Sequence, residues 1–183
     1  DLALSGTLNL WPVIHSDAQL EWCKTLGTNL PQVWIKIDTG MHRLGFSAER
    51  YAAIRDTLLS HGIGEITAMS HLASAEHPDD AVTQAQLRSW AETVRDGTHT
   101  TSLHNSAATQ QALSGPSDWV RVGYALYGGQ EKGLQSPLRL RPAMRLSSSV
   151  IALRHVPTGG SVGYGGRWTA QRDSVIATVP VGY

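Results

Sequence analysis

The chain has 183 residues, 41% of them hydrophobic and 16% charged, enough apolar material for a packed core and too much for a disordered chain. Lys plus Arg and Asp plus Glu both number 15, so the balanced charge gives no reason to expect nucleic acid or an anionic membrane as partner. Cys23 is the only cysteine, which excludes an intrachain disulfide framework and fits a reducing compartment, and no apolar run approaches the roughly 20 residues of a membrane span. The opening stretch, DLALSGTLNL, lacks the basic region of a signal peptide.

The predicted elements alternate from the start. Pro12 to His15 reads as a short strand, and Ser16 as the cap of a helix over 17–26 that Gly27 ends. Residues 33–38 are apolar and β-branched and read as a strand, followed by a Gly-containing turn over 39–46. Ser47 then opens a helix with Tyr51, Ile54 and Leu58 on one face, stopped near Gly62. A strand over 66–71, a helix over 83–94, a strand over 100–104, a short helix over 106–113 and a strand over 119–127 follow. Strands separated by helices predict βαβ units and a parallel sheet. The pattern changes near Gly128. Residues 130–142 are loop-like and basic, and after Met144 only strands are expected, over 145–156, 161–164 and 174–181, with Gly159-Gly160 and Gly165-Gly166 as turns. A boundary near 130–140 therefore separates an α/β region from a β domain. The length falls well short of the ~250 residues typical of a β/α barrel.

In a parallel α/β sheet, ligands bind at the carboxyl ends of the strands. Four successive strands deliver polar groups there: Lys36 and Asp38 with Arg43 just beyond, then Ser70 and His71, then His104, Asn105 and Ser106, then Arg121 with Gly123. A cap or turn explains one polar strand end, but four in a row point to a site. The set suits an anionic ligand, because guanidinium forks grip carboxylates or phosphates and free amides hold phosphate. No Ser/His/Asp order and no clustered acid pair stands out, and the eight histidines lack metal-ligand spacing, so no metal site is expected. The run 159–166 resembles a phosphate loop only superficially, with no P-loop lysine and no helix after it; it reads as a tight turn that leaves the phenol of Tyr164 exposed between glycines. Taken singly, Lys36 fits a solvated strand-end lysine, His71 a hydrogen-bonded core histidine, Arg121 an ion-pair partner and Tyr164 a surface turn residue.

The motifs in order say more. Val33-Trp34-Ile35-Lys36-Ile37-Asp38-Thr39-Gly40-Met41-His42-Arg43-Leu44-Gly45-Phe46 resembles the signature stretch of the alanine racemases, a family of pyridoxal 5'-phosphate enzymes. Met69-Ser70-His71-Leu72-Ala73, His104-Asn105-Ser106-Ala107-Ala108, the stretch 120–128 around Arg121, Gly123 and Tyr124, Leu140 to Met144, Val162-Gly163-Tyr164-Gly165 and Pro180-Val181-Gly182-Tyr183 resemble further family motifs in family order. The resemblance runs from about Thr7 to Tyr183. It implies an α/β chain: part of a (β/α)8 barrel, about strands 4–8, over residues 1–130 with the cofactor, then the beginning of a mostly β domain over 131–183 that carries a tyrosine serving the partner subunit. It also implies a cytoplasmic homodimer with shared active sites that interconverts L- and D-alanine, supplying D-alanine for peptidoglycan.

The resemblance implies residue roles as well. Tyr164 matches one of the two bases. Arg121 matches the arginine facing the cofactor's ring nitrogen, and His71 a histidine between that arginine and the tyrosine. Asn105, Ser106, Gly123 and Tyr124 match cofactor-binding positions, the last three at the phosphate. Arg43 matches an arginine near the cofactor and the substrate carboxylate, Lys36 a lysine carbamylated in some members, and Tyr183 a substrate-channel tyrosine. The family's cofactor lysine, which is the second base, belongs to a motif that does not occur among these residues; Lys24, Lys36 and Lys132 are the only lysines. The resemblance thus places the start of the chain at the fourth barrel strand and its end inside the β domain, and implies inactivity of the chain alone. The alternatives are a non-catalytic fragment, a pyridoxal-phosphate-binding protein of the related single-barrel family, and a racemase of serine or of several amino acids. The β segment with Tyr164 argues against the single-barrel reading.

Overall fold

Alternation along residues 32–38 sets the architecture. Val33, Ile35 and Ile37 are fully buried on one face, while Trp34, Lys36 and Asp38 on the other stay partly exposed. The computed structural model describes residues 2–97, 99–130, 134 and 138–182 and divides into two units between Ala143 and Met144. The first unit runs α1 (Leu2–Thr7), β1 (Val13–Ile14), α2 (Asp17–Leu26), β2 (Gln32–Asp38), β3 (Phe46–Ser47), α3 (Tyr51–Ser60), β4 (Glu65–Met69), α4 (Ala81–Thr93), β5 (Thr100–Ser102) and α5 (Ser106–Gln110). The strands pair in parallel in the order β1-β2-β4-β5, with β3 beside the end of β2. The core cluster joins Val33, Ile35 and Ile37 with Cys23 of α2, Tyr51, Ile54 and Leu58 of α3, and Trp90 of α4. On the other face the register puts Lys36 beside Met69 and Met69 beside Ser102, one row across three strands.

The elements expected up to residue 113 are present with shifted ends. Ser16 stands at the N-cap position of α2 but makes no side-chain capping bond, and Gly27 ends the helix with φ +49°. The helix expected from Ser47 starts as a single 3-10 turn, Ala48–Arg50, before α3. α1 was not anticipated. Residues 119–127 are not a strand, which corrects the reading above. Trp119 N and Arg121 N do donate to Thr101 O and His104 O. The N–H groups that a neighbouring strand's carbonyls would take are instead taken by side chains: Asp118 accepts from Thr101 N, and Ser117 Oγ from Leu103 N and His104 N. The segment lies along β5 without completing a ladder and ends in a 3-10 turn, Tyr124–Tyr127.

The second unit contains β6 (Ala152–Val156), β7 (Ser161–Val162), β8 (Trp168–Thr169) and β9 (Ser174–Thr178), paired antiparallel as β6 with β9 and β7 with β8. The long strand expected over 145–156 is confined to β6, because residues 144–150 find no strand partner among the described residues. The expected strand 161–164 ends at Val162, where glycines at positive φ turn the chain into a 3-10 turn, Tyr164–Gly166. Among the described residues no helix is long and apolar enough to cross a membrane.

Candidate active site

β2, β4 and β5 lead into the site at their carboxyl ends. β2 ends in Asp38, whose Oδ1 accepts the N–H groups of Gly40, Met41 and His42. Burial raises the Asp38 carboxyl, but those amides and nearby His42 outweigh it and hold it below its ordinary value. The carboxylate thus organises the turn that carries Arg43. Gly45 closes that turn: φ is +128°, and a Cβ there would lie 2.7 Å from Asp38 N. Only a glycine lets β3 come back this close to β2.

Arg121 is the centre. Its Nη1 donates to Ser102 O at 2.9 Å and Ser102 Oγ at 2.6 Å. Its Nη2 donates to Ser70 O at 2.6 Å and to His71 Nδ1, 3.2 Å away. Arginine carries five N–H donors and no acceptor, so those four contacts occupy both Nη groups and leave Nε–H. Nothing among the described residues accepts that Nε–H, and no described carboxylate pairs with the guanidinium. Since Arg121 can only donate, His71 Nδ1 accepts and the imidazole carries its proton on Nε2.

The electrostatics are those of crowded cations. Burial lowers Arg121 to about 10. Burial, then Arg121 and Arg43, push Lys36 down to about 8, against the opposing pull of Asp38. Burial, then Arg121, Lys36 and Arg43, push His71 down to about 4, so it is neutral at ordinary pH. His104 is lowered by burial and by Arg121. Lys36, Arg43 and His71 share a narrow cleft with Asp38, Met41 and Ser70. A wider cavity of about 340 Å³ is lined by His71, Arg121, Asn105, Ser106, Gly123 and Tyr124, with Glu76 on its wall. The structure therefore brings together Lys36, Arg43, His71, Asn105, Ser106, Arg121, Gly123 and Tyr124. Tyr164 belongs to the second unit and is fully exposed there. Tyr183 lies outside the described residues.

Part of the set is spent on structure. Asn105 Oδ1 caps α5 by accepting from Ala108 N, and its Nδ2 donates to Leu72 O. Ser106 Oγ accepts from Ala125 N, which leaves its own proton free to donate. The N–H groups of Gly123 and Tyr124 meet no acceptor among the described residues, and a Cβ on Gly123 would meet open space. These donors fit pyridoxal phosphate. Arg121 offers one unspent N–H, suited to a ring nitrogen that accepts, while the serine hydroxyl and two free amides suit a phosphate. No group of His, Cys, Asp and Glu among the described residues is arranged to hold a metal ion.

Sequence reasoning missed Ser102, Ser117 and Asp118, which fix the position of Arg121 and its segment. The alternation of Thr100, Ser102 and His104 was the signal for Ser102. Gln86, buried on α4, had no local signal beyond a polar residue on an otherwise core-facing stripe.

The family model described as "Alanine racemase, N-terminal domain" matches residues 1–131, and "Alanine racemase, C-terminal domain" matches residues 143–183. An alanine racemase from Shewanella frigidimarina is 40% identical over 190 residues, covering 100% of this chain and 50% of that protein. The crystal structure of a biosynthetic alanine racemase from Pseudomonas aeruginosa matches with TM-score 0.87 and 39% identity, covering 100% of this chain and 52% of that one. An alanine racemase from Bartonella henselae, solved with covalently bound pyridoxal phosphate, matches with TM-score 0.76 and 26% identity, covering 98% and 51%. The chain spans about half the length of the curated relatives it matches.

Proposed function

Because this chain belongs to the alanine racemase family, we propose that it forms part of an enzyme interconverting L- and D-alanine with pyridoxal 5'-phosphate held at the strand ends just described. The supporting observation is the crowd of cations, Lys36, Arg43 and Arg121, around a neutral His71, with no described carboxylate paired to Arg121. Such a site favours anionic ligands, and a phosphorylated cofactor and a substrate carboxylate both supply charge. When bound, the cofactor draws electron density from the amino acid's Cα and weakens its Cα–H bond.

The chain's own residues do the rest. Arg121 offers Nε–H to the ring nitrogen and, unable to give up a proton at ordinary pH, keeps that nitrogen unprotonated, which restrains side reactions such as transamination. Ser106 by its hydroxyl, and Gly123 and Tyr124 by main-chain amides, hold the phosphate, while Asn105 keeps α5 in place beneath them. Arg43 grips the substrate carboxylate. Tyr164 Oη, presented to a partner subunit, removes or returns the proton on one face of Cα, and His71 stands between that phenol and Arg121. Lys36, when carbamylated, becomes the anion that positions Arg43, and Tyr183 lines the substrate path. Residues 1–130 hold the cofactor and 131–183 begin the β domain of a cytoplasmic homodimer supplying D-alanine. The opposite face of Cα requires a lysine. Lys24, ion-paired with Glu21 on α2, and Lys36, placed beside Arg43, are not in that role, and Lys132 lies outside the described residues, so this reading takes that lysine from elsewhere in the enzyme.

Tyr164→Phe in the enzyme that contains this chain tests the reading. Racemisation falls at least ~100-fold in both directions, as an equilibrium constant of one requires, while one enantiomer still exchanges its Cα proton with D2O through the opposite base. Wild-type racemisation in that variant removes Tyr164 from the role.

A further inference from the structure

The helix behind the sheet reaches into the site through one side chain. The buried stripe of α4 is Thr83, Gln86 and Trp90, and all three end in hydrogen bonds to loops. Thr83 Oγ1 donates to Ser74 O, Trp90 Nε1 donates to Pro116 O, and Gln86, 1% exposed, makes three contacts. Gln86 Oε1 accepts from Ala73 N at 2.8 Å; its Nε2 donates to His71 O at 3.1 Å and to Thr39 Oγ1 at 3.4 Å. The N–H of Ala73 can only donate, which settles the orientation of the amide.

From there the protons run one way. Ser70 Oγ donates to Ile37 O at 2.8 Å, and its hydroxyl has one proton, so it accepts from Thr39 Oγ1 at 2.8 Å. Thr39 in turn accepts from Gln86. The chain Gln86, Thr39, Ser70, Ile37 therefore has a single polarity, and each member is buried. It ties the end of β2, whose turn carries Arg43, to the segment 70–73, which supplies both the carbonyl holding Arg121 and the ring of His71.

We infer that Gln86 is a positioning residue of the site, acting through Thr39 and Ser70 to fix His71 and Arg121 relative to Lys36 and Arg43. The inference rests on the reading of those four residues as the cofactor and substrate site, but its measurement does not require the cofactor. His71 faces Arg121, Lys36 and Arg43, and Glu76 lies on the same cavity wall. Its titration therefore reports how tightly those groups are held.

The test is an NMR titration of the His71 ring in the 183-residue chain with Gln86→Met and, separately, the nearly isosteric Thr39→Val. The His71 midpoint is expected to climb from its low wild-type value by at least about one pH unit in both, as water enters and the cations move away. Thr39→Ser, which restores the hydroxyl, is expected to titrate like wild type. A folded Gln86→Met or Thr39→Val chain with an unmoved His71 overturns the inference. So does a Thr39→Ser chain that stays shifted, or loss of cooperative folding in both of the other variants, which would make the network a stability element only. Binding of pyridoxal phosphate itself, followed by tryptophan fluorescence, is expected to weaken about tenfold in the shifted variants. If the wild-type chain does not bind it, the cofactor reading fails while the His71 titration still decides the role of Gln86.

Discussion

At the scale of the residue, the site stores charge that folding must tolerate, and two groups make that measurable. Lys36 titrates near 8 in the folded chain against an ordinary 10.5. Between those values the unfolded chain binds the extra proton, so stability rises with pH through this window. His71, lowered to about 4 from 6.5, acts in the same sense at lower pH: its contribution is full above 6.5 and is lost as pH falls toward 4, with His104 and His99 displaced in the same direction. Above about pH 9 the buried Cys23 thiol, pushed up to about 11 by burial, works the opposite way, since the unfolded chain then loses a proton that the folded chain keeps. Urea midpoints are therefore expected to rise from pH 4 to 6.5 and again from 8 to 9. Lys36→Met flattens the second rise and leaves the first in place. A second rise of wild-type size in that variant removes Lys36 as its source.

At the scale of the element, the turn between β2 and β3 couples backbone geometry to the site. Gly45 holds φ +128° with Asp38 N 2.7 Å from where a Cβ would sit. Gly45→Ala is expected to cost more than about 2 kcal/mol in chemical denaturation, through strain and the clash together. It should also loosen the Asp38 turn, seen as faster amide exchange at Gly40, Met41 and His42. A loss under about 0.5 kcal/mol would show that the turn relaxes elsewhere. This element also shows what was legible in the sequence. The run 33–38 announced a buried strand, and Thr39 to Phe46 a glycine turn, because both signals are local. The polar residues at the expected strand ends were visible for the same reason, and the structure brings them together, three groups after β2, β4 and β5 and the fourth, Arg121 with Gly123, on the irregular segment along β5. Residues 119–127 misled because apolar, β-branched composition cannot reveal that Ser117 and Asp118 take the amides a ladder needs. Gln86 was illegible because its partners lie on other segments, and for Ser102 local alternation could mark the residue but not its partner: Gln86 is 15 positions from His71, and Ser102 is 19 from Arg121.

At the scale of the whole chain, the two units differ in how much they bury. The first has a continuous core from Ile14 to Ala108. In the second, Ala170 is the only buried hydrophobic residue among those described, while Leu146 is 82% exposed and Met144, Ile151 and Leu153 are exposed as well. A segment of about 40 residues with so little apolar burial lies near the lower limit for independent folding, and its β6–β9 ladder is held mainly by backbone hydrogen bonds open to water. Opening of that ladder therefore takes far less free energy than opening of β2, whose Val33, Ile35 and Ile37 are wholly buried. In the 183-residue chain, amides of β6 and β9 are expected to exchange at least about 100-fold faster than those of β2 and β4, and proteases to cut first after Ala143. Equal protection across the two units would mean that apolar surface exposed in a single copy is covered in solution. A rise of that protection with protein concentration would then identify a second copy as the cover, the arrangement that the proposed role of Tyr164 requires.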